Sequence, residues 1–304
     1  MCRMLGYLGT PVLLEHFLYS PDSSLLKQTV DPQMLRMLNL GGFGLAAWDP
    51  GSHSPEIPFT YRSTQVAIFD GNLQGLARKV RAHALLAHVR GVPYDPSVAI
   101  SHQNLHPFRF EGSSLAVAHN GDLADFGLMR YELLEHVQPA IARRVRGSTD
   151  SEWIYALILS GLADPAGELD ANDILQAIDR ALSILRKVRE RLGIRRASSV
   201  NLIACDGRNL VATRFVFDFG TYEKPPAIGG IDYLSQWYTL GRDYGLHDEE
   251  WKMVGGANSA DSVLVSSEPL TRDLSTWIEV PEYSALSVSQ RAGRRQASVV
   301  PLDV

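Results

Sequence analysis

Apolar positions gather into short runs near the start of the chain. The first, residues 3–9, predicts a buried strand that ties the amino terminus into a sheet, where a terminus would otherwise fray. Residues 43–48 follow the pair Gly41-Gly42 and predict a second strand. Two more are predicted at 84–89 and 115–118, each running directly into a polar motif. Residues 66–69 precede the turn signal Asp70-Gly71-Asn72 and read as a strand or as part of a loop. The period then changes. Trp153, Ile154, Leu157, Ile158 and Leu162 recur at helical spacing over 150–162, with Ser148 or Thr149 positioned to cap the first turn. A longer helix is predicted over 173–192, where Leu175, Ile178, Leu182, Leu185, Val188 and Leu192 share a face and Gly193 closes it. The opposite face carries Arg180, Arg186, Lys187, Arg189 and Arg191, and it reads as a solvated face ahead of a dock for an acidic partner.

Strand character returns after residue 199. Residues 200–204 and 210–215 flank Asp206-Gly207-Arg208-Asn209 and predict a hairpin. Residues 216–258 are rich in Gly, Tyr and Pro and are expected as an inserted loop region over the surface or the site. Short strands are expected at 263–265, 277–280 and 285–288. Strands, then helices, then strands, with no internal repeat or low-complexity linker, favour one layered α+β domain over residues 1–304.

Composition narrows the classes. A chain of 304 residues can bury a substantial core, and 45% hydrophobic with 21% charged residues is ordinary for a globular protein. A formal net charge of -5 gives no general attraction to nucleic acid or to an anionic membrane surface, so neither is expected as a partner. The two cysteines, Cys2 and Cys205, allow one disulfide, yet so few thiols suggest a reducing, intracellular setting. Arg3 is the one basic residue ahead of a short apolar stretch that Pro11 and Glu15 interrupt, which is unlike a secretory signal. The longest strongly apolar run, 153–163, is about half a membrane span. A cytoplasmic location is expected.

Cys2 carries the most distinctive chemistry. Removal of Met1 would leave one residue bearing a thiol and a free α-amine. The amine titrates near about 7.7–8.0 and the thiol near about 8.5, so the amine can take the thiol's proton, directly or through a water. Three later motifs bear on this. Ala87-His88-Val89-Arg90 ends a buried strand in an arginine, which can fork onto a substrate carboxylate or form a structural ion pair. Ala118-His119-Asn120-Gly121 offers an amide side chain beside a glycine N–H, two donors suited to a developing oxyanion, although Asn-Gly is also a hairpin signal. Gly147-Ser148-Thr149-Asp150-Ser151-Glu152 has the spacing of a capping box, and its Asp150 can also meet a substrate ammonium group. Five of the nine histidines fall between His83 and His119, but no spacing matches a helical zinc pair and no cysteine cluster joins them. Cys205 reads as a small core residue.

Taken in order, Met1-Cys2-Arg3, Gly41-Gly42-Phe43-Gly44, Ala87-His88-Val89-Arg90, Asn104-Leu105-His106-Pro107-Phe108, His119-Asn120-Gly121 and Gly147–Glu152 resemble the class II glutamine amidotransferases. Val211-Ala212-Thr213-Arg214 and Ser267-Glu268-Pro269-Leu270 resemble a stand-alone branch that includes YafJ-type proteins, an ergothioneine-pathway γ-glutamyl amidohydrolase and a fungal glutathione-degrading amidotransferase subunit. The resemblance spans about residues 2–290. It implies a four-layer αββα sandwich of the N-terminal-nucleophile (Ntn) hydrolases. It also implies Cys2 as nucleophile with its freed amine as base, and Asn120 with Gly121 as the oxyanion hole. Arg90 would hold a glutamyl α-carboxylate and Asp150 the α-ammonium, with His119 grouped beside them on the substrate side. No metal or organic cofactor is implied.

Two positions depart from the family pattern. Gly41 stands where an acidic residue is usual, and Gly91-Val92-Pro93-Tyr94 replaces a small residue and a threonine after the arginine. Both departures touch substrate recognition. Three functional readings follow. The favoured one is a hydrolase that cuts a γ-glutamyl amide in a small molecule. The second is a glutaminase delivering ammonia to a separate synthase or peptidase subunit, and the third is a non-catalytic γ-glutamyl-binding module.

Overall fold

A computed structural model describes residues 2–34, 38–92, 100–218, 234–256, 260–291 and 294–304. The first part forms strands β1 (Arg3–Leu13), β2 (Phe43–Trp48), β3 (Phe59–Ser63), β4 (Arg81–Val89) and β5 (Ala116–Gly121), with the short helices α1 (Glu15–Leu18) and α2 (Gly71–Ala77) between them. Helices α3 (Phe126–Leu133), α4 (Pro139–Ala142), α5 (Asp150–Gly161) and α6 (Ala171–Arg191) follow. Next come β6 (Ser198–Cys205), β7 (Leu210–Arg214), β8 (Val216–Phe217), β9 (Trp237–Gly241), β10 (Asp243–His247) and β11 (Glu250–Val254). The chain ends with β12 (Ser262–Ser266), β13 (Ile278–Glu279), β14 (Ser284–Arg291) and β15 (Arg294–Pro301).

Two antiparallel sheets stack between layers of helix. The first runs β13-β9-β12-β1-β4-β2-β3 and the second β15-β14-β7-β6-β5, with β8 beside β6. The amino-terminal strand therefore lies in the middle of its sheet, paired with β4 on one side and β12 on the other. Its side chains alternate between two cores. Met4 and Leu8 join Ala84, Leu86, Ala118, Ile203 and Leu286 between the sheets. Leu5 and Tyr7 face outward, with Phe17, Leu18 and Leu73 from the α1 and α2 region. Gly6 faces the second sheet, where a Cβ would come within 2.8 Å of Ile203 and 3.0 Å of Leu210. Helices α3, α5 and α6 cover the far face of the second sheet, burying Trp153, Leu157, Leu182 and Leu185 against Val117, Leu202 and Val211. The result is an α+β sandwich of four layers, αββα.

The predicted strands at 43–48, 84–89 and 200–204 are present, and the two long helices lie at 150–161 and 171–191. The longer helix starts early because Asp170 and Asp173 cap its first turn reciprocally. Residues 67–69 form a 3₁₀ turn rather than a strand. Asp70 is the N-cap of α2, its Oδ1 accepting from the N–H groups of Asn72 and Leu73 at 3.1 Å each. Within 216–258, expected as an inserted loop, β9 is an interior strand of the first sheet and β10–β11 form a hairpin; residues 219–233 and 257–258 lie outside the described set. The basic face of α6 is not wholly solvated. Arg189 is buried, donating to Ser198 Oγ at 2.7 Å and to the Arg196 carbonyl at 2.5 Å, and pairing with Asp218 at 2.9 Å. Cys2 and Cys205 are both free thiols. No described helix is long and apolar enough to cross a membrane.

Candidate functional site

The period of two that buries Met4 and Leu8 between the sheets turns Cys2 the same way. On β4 that face carries Ala84, Leu86 and His88, with Arg90 next in phase; on β5 it carries Ala116, Ala118 and Asn120. Arg3 pairs with Val89 and Met4 with His88, so one further step of the antiparallel register sets Cys2 opposite Arg90. Three of the sequence-derived candidates therefore meet at one end of the inter-sheet layer. A serine that sequence reasoning gave no role joins them. Ser267 Oγ accepts from the Met4 N–H at 2.9 Å and from Asn120 Nδ2 at 3.4 Å, so Asn120 is tied to the strand that begins beside Cys2.

Cys2 is half-buried. Its Sγ accepts from the Gly91 N–H at 3.4 Å, and the thiol lies 3.7 Å from the Gly91 carbonyl. Burial pushes the thiol up from its ordinary value, while the Gly91 N–H and the Arg90 and Arg3 guanidiniums oppose that shift. Arg3 points to the other face of β1. It donates to the Cys2 carbonyl at 3.1 Å and pairs with Glu268 at 3.5 Å. Glu268 in turn accepts from the Gln33 and Met34 N–H groups at 3.0 Å each. The backbone of Cys2 is thus pinned from behind.

Arg90 is buried, and its backbone is clamped by Gly41 and Gly42 through two hydrogen bonds of 2.8 Å. Gly41 is packed so closely that a Cβ would sit 2.8 Å from Val92 Cγ1 and 3.0 Å from the Arg90 carbonyl. Burial pushes the Arg90 guanidinium down, and neighbouring Cys2 and Asp150 draw it back up. Val92 is the last described residue before the Pro93-Tyr94 departure, which lies outside the described set.

Asp150 opens α5, where a carboxylate is favoured by the helix dipole. Its Oδ2 accepts from the Leu123 N–H at 2.6 Å and its Oδ1 from the Ser151 N–H at 2.7 Å, so it braces the segment that leaves β5. Half of the anticipated capping box is present: Thr149 Oγ1 accepts from the Glu152 N–H at 3.4 Å. Glu152 turns instead to the Arg146 and Gly147 N–H groups, at 2.9 and 2.6 Å. Asn104 holds the same loop, accepting from the Ser148 N–H and donating to Ser148 Oγ.

Residues 119–121 continue β5 rather than forming a hairpin turn. Gly121 has φ +154°, and a Cβ there would lie 1.9 Å from the Ser199 carbonyl oxygen. His119 faces the helices. Its Nδ1 meets Ser151 Oγ at 2.8 Å and its Nε2 the Ser199 carbonyl at 3.2 Å, so both ring nitrogens are used within the protein. Behind this strand sits a stack that the sequence did not assign. His88 Nε2 donates to the His119 carbonyl at 3.2 Å, and the His88 ring lies 4.0 Å from that of His106, which meets Phe108 edge-on at 4.7 Å. Burial pushes His88 down to about 3 and His106 in the same direction, so both rings are neutral at physiological pH. Gly44 makes room for the loop: a Cβ there would fall 2.1 Å from the His106 carbonyl oxygen.

The family description "Glutamine amidotransferases class-II" matches residues 42–218, a span that includes Arg90, Asn120, Gly121 and Asp150 and lies downstream of Cys2. The chain is 28% identical over 309 residues to the probable glutamine amidotransferase DUG3 of Saccharomyces cerevisiae, covering 96% of this chain and 82% of that protein. It is 23% identical over 241 residues to the gamma-glutamyl-hercynylcysteine sulfoxide hydrolase of Mycolicibacterium smegmatis, covering 75% and 85% respectively. Among solved structures, a glutamine aminotransferase class-II domain protein from Silicibacter pomeroyi aligns over all of both chains with a TM-score of 0.61 at 23% identity. The glutamine phosphoribosylpyrophosphate amidotransferase of B. subtilis aligns with 98% of this chain and 49% of its own, with a TM-score of 0.57 at 16% identity. These two likenesses bear on the fold, the αββα sandwich of the Ntn-type amidotransferases. With more than half of its length matched by the family description, this chain belongs to the class II glutamine amidotransferases.

Proposed function

We propose that this protein cleaves a γ-glutamyl amide, in glutamine or in a γ-glutamyl small molecule, through a γ-glutamyl thioester on Cys2. The observation that carries the reading is the convergence of Cys2, Arg90 and Asn120 on one inter-sheet face, with the Gly91 N–H on Sγ at 3.4 Å. The names of the yeast and mycobacterial relatives support the γ-glutamyl and amidotransfer chemistry.

The steps follow from the groups available. Loss of Met1 frees the α-amine of Cys2, which takes the thiol proton; burial that raises the thiol makes such a base necessary. The thiolate attacks the γ-carbonyl carbon, and the oxyanion accepts from Asn120 Nδ2 and the Gly121 N–H. One amide proton of Asn120 is engaged by Ser267 and the other remains to donate. Collapse returns the proton from the α-ammonium to the departing amine and leaves the thioester. Water, deprotonated by the same α-amine, attacks the thioester carbonyl and releases glutamate and the thiol. Arg90 binds the substrate α-carboxylate and Asp150 its α-ammonium. His119, with both ring nitrogens committed, acts as a positioning residue that locks β5 to α5.

The test is turnover of glutamine and a panel of γ-glutamyl compounds, glutathione included, by the purified chain. Release of glutamate from at least one substrate is expected, reduced by at least about 10³-fold in Cys2→Ala. Undiminished turnover by Cys2→Ala would overturn the mechanism. Robust turnover without a second protein separates a hydrolase from an ammonia-delivering subunit.

A further inference from the structure

The chain's net charge is -5, yet one surface cavity has the opposite sign. It encloses about 240 Å³ and four arginines, Arg62, Arg109, Arg144 and Arg146, are among the residues that line it. Glu152 is its one lining carboxylate among the described residues, and both Glu152 oxygens are already taken by the Arg146 and Gly147 N–H groups. Elsewhere, Arg3, Arg78, Arg189, Arg191, Arg208 and Arg214 each sit on a carboxylate. Among the described residues, the four cavity arginines do not.

Two of them are held by backbone carbonyls rather than by carboxylates. Arg62 donates to the Pro107 carbonyl, and Arg144 donates to the Glu111 carbonyl at 2.6 Å. Carbonyl acceptors fix these two guanidiniums in place without neutralising them, and the nearby Glu152 carboxylate offsets part of the charge of Arg62. Arg109 is half-buried, and its Nε is a buried donor with no partner. That donor is therefore left over for an acceptor from outside the protein. None of these four side chains takes part in the chemistry proposed for Cys2.

We propose that this cavity binds a phosphate group, free or carried on a small phosphomonoester. Four arginines around one cavity suit a tetrahedral dianion, whose oxygens accept paired N–H donors in fork geometry. The volume admits such a group with a short substituent. The site does not depend on the reading of Cys2, and its test is separate.

The experiment is calorimetric titration of the purified full chain with inorganic phosphate and with glycerol 3-phosphate, at low ionic strength. Saturable binding of at least one anion is expected, weakened at least tenfold in the Arg109→Gln/Arg146→Gln double variant and progressively by added sodium chloride. Arg146 is exposed, so Arg146→Gln alone leaves the core intact and should already weaken binding severalfold. Tighter binding of the ester identifies a phosphorylated small molecule as the occupant, and equal binding identifies free phosphate. The proposal fails if neither anion binds at about 10 mM, or if both variants, shown folded by their melting temperatures, bind as the wild type does.

Discussion

At the scale of single residues, the two thiols are separated by environment. Cys205 is fully buried between the sheets and pushed up to about 12, whereas half-buried Cys2 is raised but has the Gly91 N–H and two guanidiniums to favour its thiolate. Iodoacetamide at pH 8 should therefore label Cys2 and spare Cys205 in the native protein, as read by peptide mass mapping. Equal labelling of both would contradict the geometry. The histidine stack makes a second prediction. His88 has a folded pKa near 3 against about 6.5 unfolded, so as pH falls below about 6.5 the unfolded chain gains a proton that the native state refuses. Stability is full above that value and declines below it, by about 2 kcal/mol at pH 5 from His88 alone, with His106 acting in the same direction. Urea midpoints at pH 7 and pH 5 would show the loss, and His106→Phe should reduce it. A pH-independent midpoint would argue against two buried neutral rings.

At the scale of elements, β1, β2 and β4 were legible because strands buried on both faces read as mainly apolar runs. β3, β9 and β15 were missed: Phe59 of β3 and Val299 of β15 lie exposed on edge strands, and β9 holds polar Thr239 inside the fold with buried Gln236 just before it, so neither alternation nor a run was visible. The Asn120-Gly121 pair had two readings in the sequence. It is strand because Gly121 lets β5 approach Ser199 more closely than any side chain allows. Gly121→Ala should accordingly destabilise by about 1–3 kcal/mol or more and displace Asn120, whereas Gly75→Ala in α2, with nothing within 4 Å of its Cβ, should stabilise by about 0.5–1 kcal/mol. Chemical denaturation of the two variants distinguishes the cases. Equal effects would mean that the close approach at Gly121 is relieved at no cost.

At the scale of the whole molecule, the chain places its second residue at the end of a strand that sits mid-sheet, with hydrogen-bonded neighbours on both sides. Tertiary packing, rather than local propensity, therefore fixes the nucleophile proposed here. The layered α+β architecture could be read from element order, but the strand order β13-β9-β12-β1-β4-β2-β3 could not, because its central pairing, β1 with β12, joins segments more than two hundred residues apart. The same is true of Ser267, which reaches Asn120 across 147 residues, and of Glu268, which reaches Arg3 from the far end of the chain; nothing local to either residue assigns it that contact. The most direct test of the account is the mass of the amino-terminal peptide after an acid quench of the purified protein turning over its γ-glutamyl substrate. The prediction is a peptide that begins at Cys2, lacks Met1 and carries a γ-glutamyl adduct on the Cys2 sulfur. Full activity with Met1 retained, or an adduct on any other residue, would contradict it.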